Sequence, residues 1–280
     1  MRPANLLTAV ADILAGSAIA GFVFGEPTSI LWLVISTIGL YGGGVVMNDV
    51  FDAELDSLER PERPIPSGAV SVREGALLGL VLLATGVLAA ASISVVSAII
   101  AAAIATAAVV YDKWGKHHAF LGPVNMGLCR GLNLLLGASI LPSAVENLWW
   151  IGLVPLAYIA AITMISRGEV HGGSRKTLYG AALLYVLVII VIAFLAFRNR
   201  HVAETSMFVV AWAVMILIPL LRAIRDPQGK MIGRAVKAGV IALIVMNAAW
   251  AAAYGAMTTA LAIVLLLPLS MLLARVFAVT

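Results

Sequence analysis

Long apolar runs alternate with short polar ones along the whole chain. Runs of about 20 apolar residues have the length of helices that cross a bilayer. No polar interval between them is long enough to hold a separate soluble domain. We therefore predict an all-α, polytopic membrane helical bundle of nine or ten transmembrane helices, forming a single domain over residues 1–280. The predicted spans are 6–24, 29–48, 75–92, 94–111, 121–140, 147–165, 177–197, 205–222, 234–253 and 257–276.

The basic residues between the runs orient the predicted bundle. Most of them fall on the same side as the most polar loop, whereas Arg198 and Arg200 fall on the opposite side. By the positive-inside rule this loop is cytoplasmic, as expected for a multi-pass protein of a bacterial-type inner or plasma membrane. With ten spans both termini are cytoplasmic as well. A nine-span alternative merges or drops one of the last two segments.

The composition agrees with this topology. Hydrophobic residues make up 62% of the chain and charged residues 11%, with a mean hydropathy of +1.05, which excludes a soluble globular domain. The pI near 9.4 reflects loop orientation and contact with membrane lipid, so nucleic-acid binding is not implied. The single cysteine, Cys129, excludes an intrachain disulfide.

The most polar stretch runs from Asn48 to Gly68 and reads NDVFDAELDSLERPERPIPSG. It follows a long apolar run, so its first part should extend that run's helix by about two turns. At roughly 100° per residue, four of its side chains share an arc of roughly 100°. These are Asn48, Asp49, Asp52 and Asp56. Carboxylates so placed repel each other unless a cation lies between them, and Mg²⁺ is typically held by carboxylates plus substrate phosphate oxygens.

The second half of this stretch supplies basic residues and prolines. Arg60 and Arg63 follow about a turn later, where they are suited to neutralise the outer oxygens of a phosphate. Prolines at 61, 64 and 66 end the helix and stiffen the loop. The alternative is a solvated acidic loop. The one-sided spacing, the asparagine and the two Arg-Pro pairs favour a Mg²⁺–phosphate site.

Asp12 and Arg130 are charged residues that lie deep inside predicted spans, away from the span ends. A charge at such a depth is costly unless it faces a cavity or a partner. Arg130 should therefore point into the bundle towards an anion, which is either a bound phosphate or Asp12. Gly127 and Gly131 beside it predict a close helix-packing face.

The pattern NDxxDxxxD followed by RPxRPIPSG, at the end of the second apolar span, resembles the first aspartate-rich motif of the UbiA superfamily of intramembrane aromatic prenyltransferases. Within that superfamily the chain looks similar to the subgroup called UbiA-like protein EboC. The resemblance implies a transferase of alkyl or aryl groups other than methyl. It would use Mg²⁺ to move an isoprenyl group from a prenyl diphosphate to an aromatic or other lipophilic acceptor. The implied catalytic residues are Asp49, Asp52 and Asp56, and with Asn48 these are also the implied metal ligands.

The resemblance also assigns roles to the loop after the fourth span. In the family a tyrosine and basic residues there contact the diphosphate, and Tyr111, Lys113 and Lys116 match this description loosely. An ordinary positive-inside loop is the alternative. The residues expected to bind the diphosphate are thus Arg60, Arg63, Lys113 and Arg130, with two more after the sixth span.

After the sixth span the family carries a second aspartate-rich motif that holds a second Mg²⁺. This chain departs from that pattern, because the segment 166–177 has no aspartate and Glu169 is its only acid. Arg167 and Arg175 are expected to bind the diphosphate directly, with Glu169 or His171 as an auxiliary metal ligand. The departure leaves open a non-catalytic protein that binds or transports an isoprenoid or aromatic metabolite across the membrane.

Overall fold

The computed structural model describes residues 3–22, 27–118, 121–169 and 172–276, and all regular secondary structure in these ranges is helical. This confirms the predicted all-α class. The helices are α1 (Pro3–Ile19), α2 (Pro27–Phe51), α3 (Ala53–Glu59), α4 (Val72–Ala91), α5 (Val95–Lys113), α6 (Leu121–Ala138), α7 (Pro142–Leu148), α8 (Leu153–Ser166), α9 (Arg175–Arg198), α10 (Val202–Arg225), α11 (Gly229–Ala253), α12 (Met257–Val264) and α13 (Leu266–Val276). Short 3₁₀ turns cover Gly115–His117 and Trp149–Gly152.

Each of the ten predicted spans overlaps a helix, and the last contains both α12 and α13. The break between α12 and α13 falls at Leu265, three residues before Pro268. Proline lacks the N–H that would bond the carbonyl four residues earlier, so the helix is interrupted there. Gly255, with φ +80°, turns the chain between α11 and α12. The structure therefore keeps the last two predicted segments apart.

Eight helical segments of the described residues are long and apolar enough to cross a membrane, which makes the chain a multi-pass membrane protein. In this set, α7 and α8 count as one segment, Pro142–Ser166, and α12 and α13 as another, Met257–Val276. The shorter α1 and the polar-interrupted α6 fall outside the eight. They carry Asp12 and Arg130, so the two charged residues predicted deep inside spans lie on these two helices.

Glycines set the contact between α2 and α4. A Cβ added at Gly39 would lie 2.9 Å from the Gly86 backbone nitrogen, and one at Gly43 would lie 2.7 Å from Leu83 Cγ. Side chains at these positions would force the helices apart, whereas glycine lets them touch. Gly39 and Gly43 therefore serve helix packing in the part of α2 that leads to Asn48.

Helix α6 lies between α1 and α8 through the same kind of contact. A Cβ at Gly137 would meet Ile13 Cα at 2.8 Å, and one at Gly127 would meet the Leu156 carbonyl oxygen at 2.7 Å. Gly131 packs as closely against Gly152. The predicted packing face of Gly127 and Gly131 is confirmed. Helix α11 is the most enclosed of the long helices, with 83% of its membrane-length window buried.

Candidate active site

The polar stretch extends α2 almost without interruption, as predicted. We call Asn48, Asp49, Asp52 and Asp56 the carboxylate stripe. Helical hydrogen bonds cross the junction between α2 and α3, because the Asp52 N–H donates to the Asn48 carbonyl at 2.9 Å and the Asp56 N–H to the Asp52 carbonyl at 2.8 Å. Helix α3 ends at Glu59, just before the first proline of the loop.

The loop after α3 places a basic side chain, that of Arg63, against the stripe. Arg63 Nη1 donates to Asp56 Oδ2 at 2.6 Å and to Asp49 Oδ1 at 3.2 Å. Asp56 is only 5% exposed, so this ion pair is partly shielded from water. Asp49 and Asp56 are two helical turns apart. One guanidinium reaches both carboxylates because the two side chains lie on the same face. Carboxylates therefore hold the guanidinium that was predicted to bind a diphosphate.

A second cation comes from the end of α5. Lys116 lies in the 3₁₀ turn that follows α5, and its ammonium group forms an ion pair with Asp52. Lys113 had been predicted for the diphosphate, but its Nζ lies over the ring of Trp114, 4.6 Å from the centroid. The structure thus places Lys116, rather than Lys113, against the stripe.

The stripe also receives an acid that the sequence analysis did not single out. Asn48 Nδ2 donates to Asp112 Oδ1 at 3.1 Å. Asp112 is the penultimate residue of α5, 5% exposed, and its Oδ2 is buried with no hydrogen-bond partner in the structure. The sequence could have indicated this residue, because Asp112 directly follows Tyr111 at the end of an apolar helix. A charged side chain at such a position needs polar neighbours.

A cavity of about 330 Å³ lies beside this cluster. Its walls come from the α5–α6 connection and the end of α8, and they include Tyr111, Lys116, Thr163, Ser166 and Arg167. Two cationic side chains, Lys116 and Arg167, therefore line one chamber, and Lys116 joins that chamber to the stripe through Asp52. A smaller apolar cavity of about 190 Å³ adjoins it at His118 and is walled by Val110, Trp114 and Leu121 among others. This pairing suits a ligand with an anionic head and an apolar portion.

Three other predicted residues are placed elsewhere. Arg60 is exposed at the end of α3, where its backbone N–H donates to the Asp56 carbonyl. Arg175 Nη2 donates to the Arg225 carbonyl at the end of α10, at 3.3 Å. Glu169 lies beside the start of α11, since a Cβ at Gly233 would be 3.2 Å from Glu169 Oε1. His171 lies outside the described residues.

Arg130 forms an ion pair with Asp12, which is one of the two anions that the sequence allowed for it. Its Nη1 lies 2.9 Å from Asp12 Oδ2, and its Nη2 donates to the Thr8 hydroxyl. Asn133 and Asn247 also donate to the two Asp12 oxygens, at 3.0 and 2.7 Å. We call this group the Asp12 cluster. It joins α1, α6 and α11 and gives the fully buried Asp12 three donors.

The donor set of the stripe suits a hard cation. Within the described ranges, no three His, Cys, Asp or Glu side chains already converge as a metal cluster, because Arg63 and Lys116 hold the carboxylates. Carboxylate and carboxamide oxygens are nevertheless the ligands of Mg²⁺, and the buried Asp112 Oδ2 is an oxygen that lacks a partner. The residues therefore fit a divalent cation that competes with the two basic side chains.

Comparisons with known proteins identify the family of the chain. The family model described as "UbiA prenyltransferase family" matches residues 9–234. Digeranylgeranylglyceryl phosphate synthase of Halobacterium salinarum is 30% identical over 221 residues, covering 79% of this chain and 76% of the relative. The synthase of the same name from Methanothrix thermoacetophila is 26% identical over 224 residues, covering 79% of each chain.

A solved structure of a UbiA homolog from Archaeoglobus fulgidus bound to DMAPP and Mg²⁺ shares the fold, with a TM-score of 0.67 at 17% identity, covering 86% of this chain and 96% of that one. The family match spans well over half of the chain and includes the stripe, Lys116 and Arg167. The chain belongs to the UbiA prenyltransferase family.

Proposed function

We propose that this protein is a Mg²⁺-dependent membrane prenyltransferase that moves an isoprenyl group from a prenyl diphosphate to a lipophilic acceptor. The proposal rests mainly on Lys116, which contacts both the carboxylate stripe and the neighbouring cavity. Its ammonium group pairs with Asp52 of the stripe and also lines the cavity that contains Arg167. A metal-bound diphosphate needs such neighbours, because carboxylates hold the cation and basic groups hold the phosphate oxygens. The structural neighbour that binds DMAPP and Mg²⁺ supports this assignment.

Each polar group has a separate part in this proposal. Asn48, Asp49, Asp52 and Asp56 hold the cation, which when bound stabilises the charge of the departing diphosphate. Lys116 and Arg167 donate to the diphosphate oxygens from the cavity wall. Arg63 is released from Asp49 and Asp56 as the cation takes their oxygens, and it becomes a further donor. Arg60 borders the same loop.

The reaction needs no nucleophile from the protein. The bond between the prenyl C1 and the diphosphate oxygen breaks, and its electron pair leaves with the diphosphate. The acceptor attacks the allylic carbon through a hydroxyl oxygen or an electron-rich ring carbon and then loses a proton. The chain's tasks are to hold the diphosphate, orient the acceptor and keep water from the allylic cation.

The acceptor of the prenyl group could belong to either of two chemical classes. An aromatic acceptor follows from the resemblance to the aromatic prenyltransferases and would fit the EboC subgroup. The synthases named above bear the name of a lipid, digeranylgeranylglyceryl phosphate. We propose that the acceptor is a lipid-soluble molecule with one nucleophilic oxygen or carbon, and both classes belong in the assay.

One feature favours a second candidate, a carrier that binds a prenyl diphosphate or aromatic metabolite without reaction. The segment after α8 offers a single acid, Glu169, which packs beside α11, and Arg175 contacts the end of α10. A chain with only one metal site at the stripe would bind the diphosphate but ionise it poorly.

Release of inorganic diphosphate by the purified protein in lipid nanodiscs tests the proposal. The substrates are prenyl diphosphates of increasing chain length, with and without Mg²⁺, and the acceptors are phenols, indoles and geranylgeranylglyceryl phosphate. We expect Mg²⁺-dependent release that Asp52→Asn reduces by more than about 100-fold, since the variant loses a metal ligand. The matched control is Glu59→Gln, an exposed acid of the same segment, which should react like the parent protein. Tight binding without release, for every acceptor, would favour the carrier.

A further inference from the structure

We infer that Asp112 is a direct metal ligand, a fourth carboxylate that α5 contributes to the stripe. The inference rests on the proposed function and goes further, because it assigns a ligand to a residue outside the NDxxDxxxD motif. It starts from a single atom, Asp112 Oδ2. This oxygen is buried and has no hydrogen-bond partner in the structure, while the side chain's other oxygen is already bonded to Asn48.

The charged groups around Asp112 leave Oδ2 without an ion pair. Three of them act electrostatically on this carboxyl group, namely Lys116, Asp52 and Asp49. Lys116 is the only cation among these three, and its ammonium group is paired with Asp52. A buried carboxylate oxygen without a donor or cation is unfavourable, because burial removes the water that would solvate it. A divalent cation bound at the stripe would give Asp112 Oδ2 the partner that it lacks.

The hydrogen bond from Asn48 fixes the orientation of the Asp112 carboxyl group, and with it the position of Oδ2. Asn48 presents Nδ2 to Asp112, and Asp112 Oδ1 accepts this hydrogen bond. The carbonyl oxygen of Asn48 is thereby turned away from Asp112 Oδ1. The Asn48–Asp112 contact orients the asparagine of the stripe. Helix α5 thereby brings the buried, unbonded Asp112 Oδ2 to the end of α2 that carries the stripe.

Mn²⁺ titration tests the inference without reference to turnover. Mn²⁺ replaces Mg²⁺ at oxygen-rich sites and its unbound fraction is measured directly by electron paramagnetic resonance. The protein is held in zwitterionic nanodiscs with no prenyl diphosphate present. We expect Asp112→Asn to weaken Mn²⁺ binding by at least about 10- to 100-fold, the range seen when the support of a metal ligand is lost. Glu59→Gln should bind like the parent protein.

A double-mutant comparison separates ligation from positioning. If Asp112 ligates the metal, Asp112→Asn weakens Mn²⁺ binding in an Asn48→Ala background as well. A loss that occurs only when Asn48 is present would overturn direct ligation. Asp112→Ser also removes the carboxylate and should show the same loss, which guards against failure of the Asn variant to fold; size-exclusion profiles report folding of both variants.

The remaining outcomes distinguish this inference from the proposed function. If Asp52→Asn abolishes Mn²⁺ binding and Asp112→Asn binds like the parent protein, Asp112 is not a ligand and the proposed function stands. If the parent protein binds no Mn²⁺, even when a non-hydrolysable prenyl diphosphate analogue is added, both are overturned.

Discussion

The Asp12 cluster and the carboxylate stripe both lie among apolar helices, and they are built differently. In the Asp12 cluster, both oxygens of a fully buried carboxylate are bonded, to Arg130, Asn133 and Asn247. In the stripe, Arg63 and Lys116 hold Asp49 and Asp52, which are still partly exposed, and Asp112 keeps a buried oxygen unbonded. The saturated Asp12 carboxylate has no oxygen left for a ligand and fixes helices, although Asn247 Oδ1 beside it is buried without a hydrogen-bond partner in the structure. A partly satisfied group can exchange its partners, so it can bind.

The largest effect is expected from breaking the saturated group. Arg130→Ala leaves the Asp12 charge buried without its cation, which should cost about 3 kcal/mol of stability or more. Thermal unfolding in nanodiscs measures the loss. The double variant Asp12→Leu/Arg130→Met is the control and should recover most of the stability, because no charge remains unpaired. Unchanged stability with weakened prenyl diphosphate binding would instead give Arg130 the ligand-facing role.

A smaller effect that depends on the metal is expected at the stripe. Arg63→Met removes the donor shared by Asp49 and Asp56 and should lower stability by about 1–2 kcal/mol without metal. Mg²⁺ should restore that stability, because a cation that binds the folded state stabilises it by mass action. Unfolding temperatures with and without Mg²⁺ are the measurement, and Arg60→Met, at an exposed position, is the control. A deficit that Mg²⁺ leaves unchanged would argue against exchange between Arg63 and a metal.

The smallest effects should separate the two arginines after the sixth predicted span. Arg167 lines the cavity, whereas Arg175 contacts the backbone of α10. Arg167→Ala should raise the dissociation constant of a prenyl diphosphate about 10-fold, equivalent to about 1.4 kcal/mol. Arg175→Ala should change it by less than about twofold. Calorimetric titration of both variants gives the comparison, and equal losses would show that both arginines reach the diphosphate.

Local periodicity made much of this architecture predictable. The eight membrane-length segments follow from apolar runs of bilayer length, and the shared face of Asp49 and Asp56 follows from the helix repeat. The partners of these side chains depend on tertiary packing. Lys113 and Lys116 look equivalent in the sequence, but the chain leaves the α-helix between them, and only Lys116 turns towards Asp52. For Arg130, two anions were compatible with the sequence, and the packing of α6 against α1 selected Asp12.

The loop from Arg60 to Gly68 is held by its own backbone hydrogen bonds. Its backbone is closed by hydrogen bonds from Arg63 N–H to the Arg60 carbonyl at 3.0 Å and from Ser67 N–H to the Arg63 carbonyl at 2.9 Å. Its prolines allow few backbone conformations even in the unfolded chain. A ligand that recruits Arg63 therefore need not restrict a mobile loop, and the conformational entropy lost on binding is confined mainly to side chains. Affinity at this site should consequently respond to charge more strongly than to loop length or flexibility.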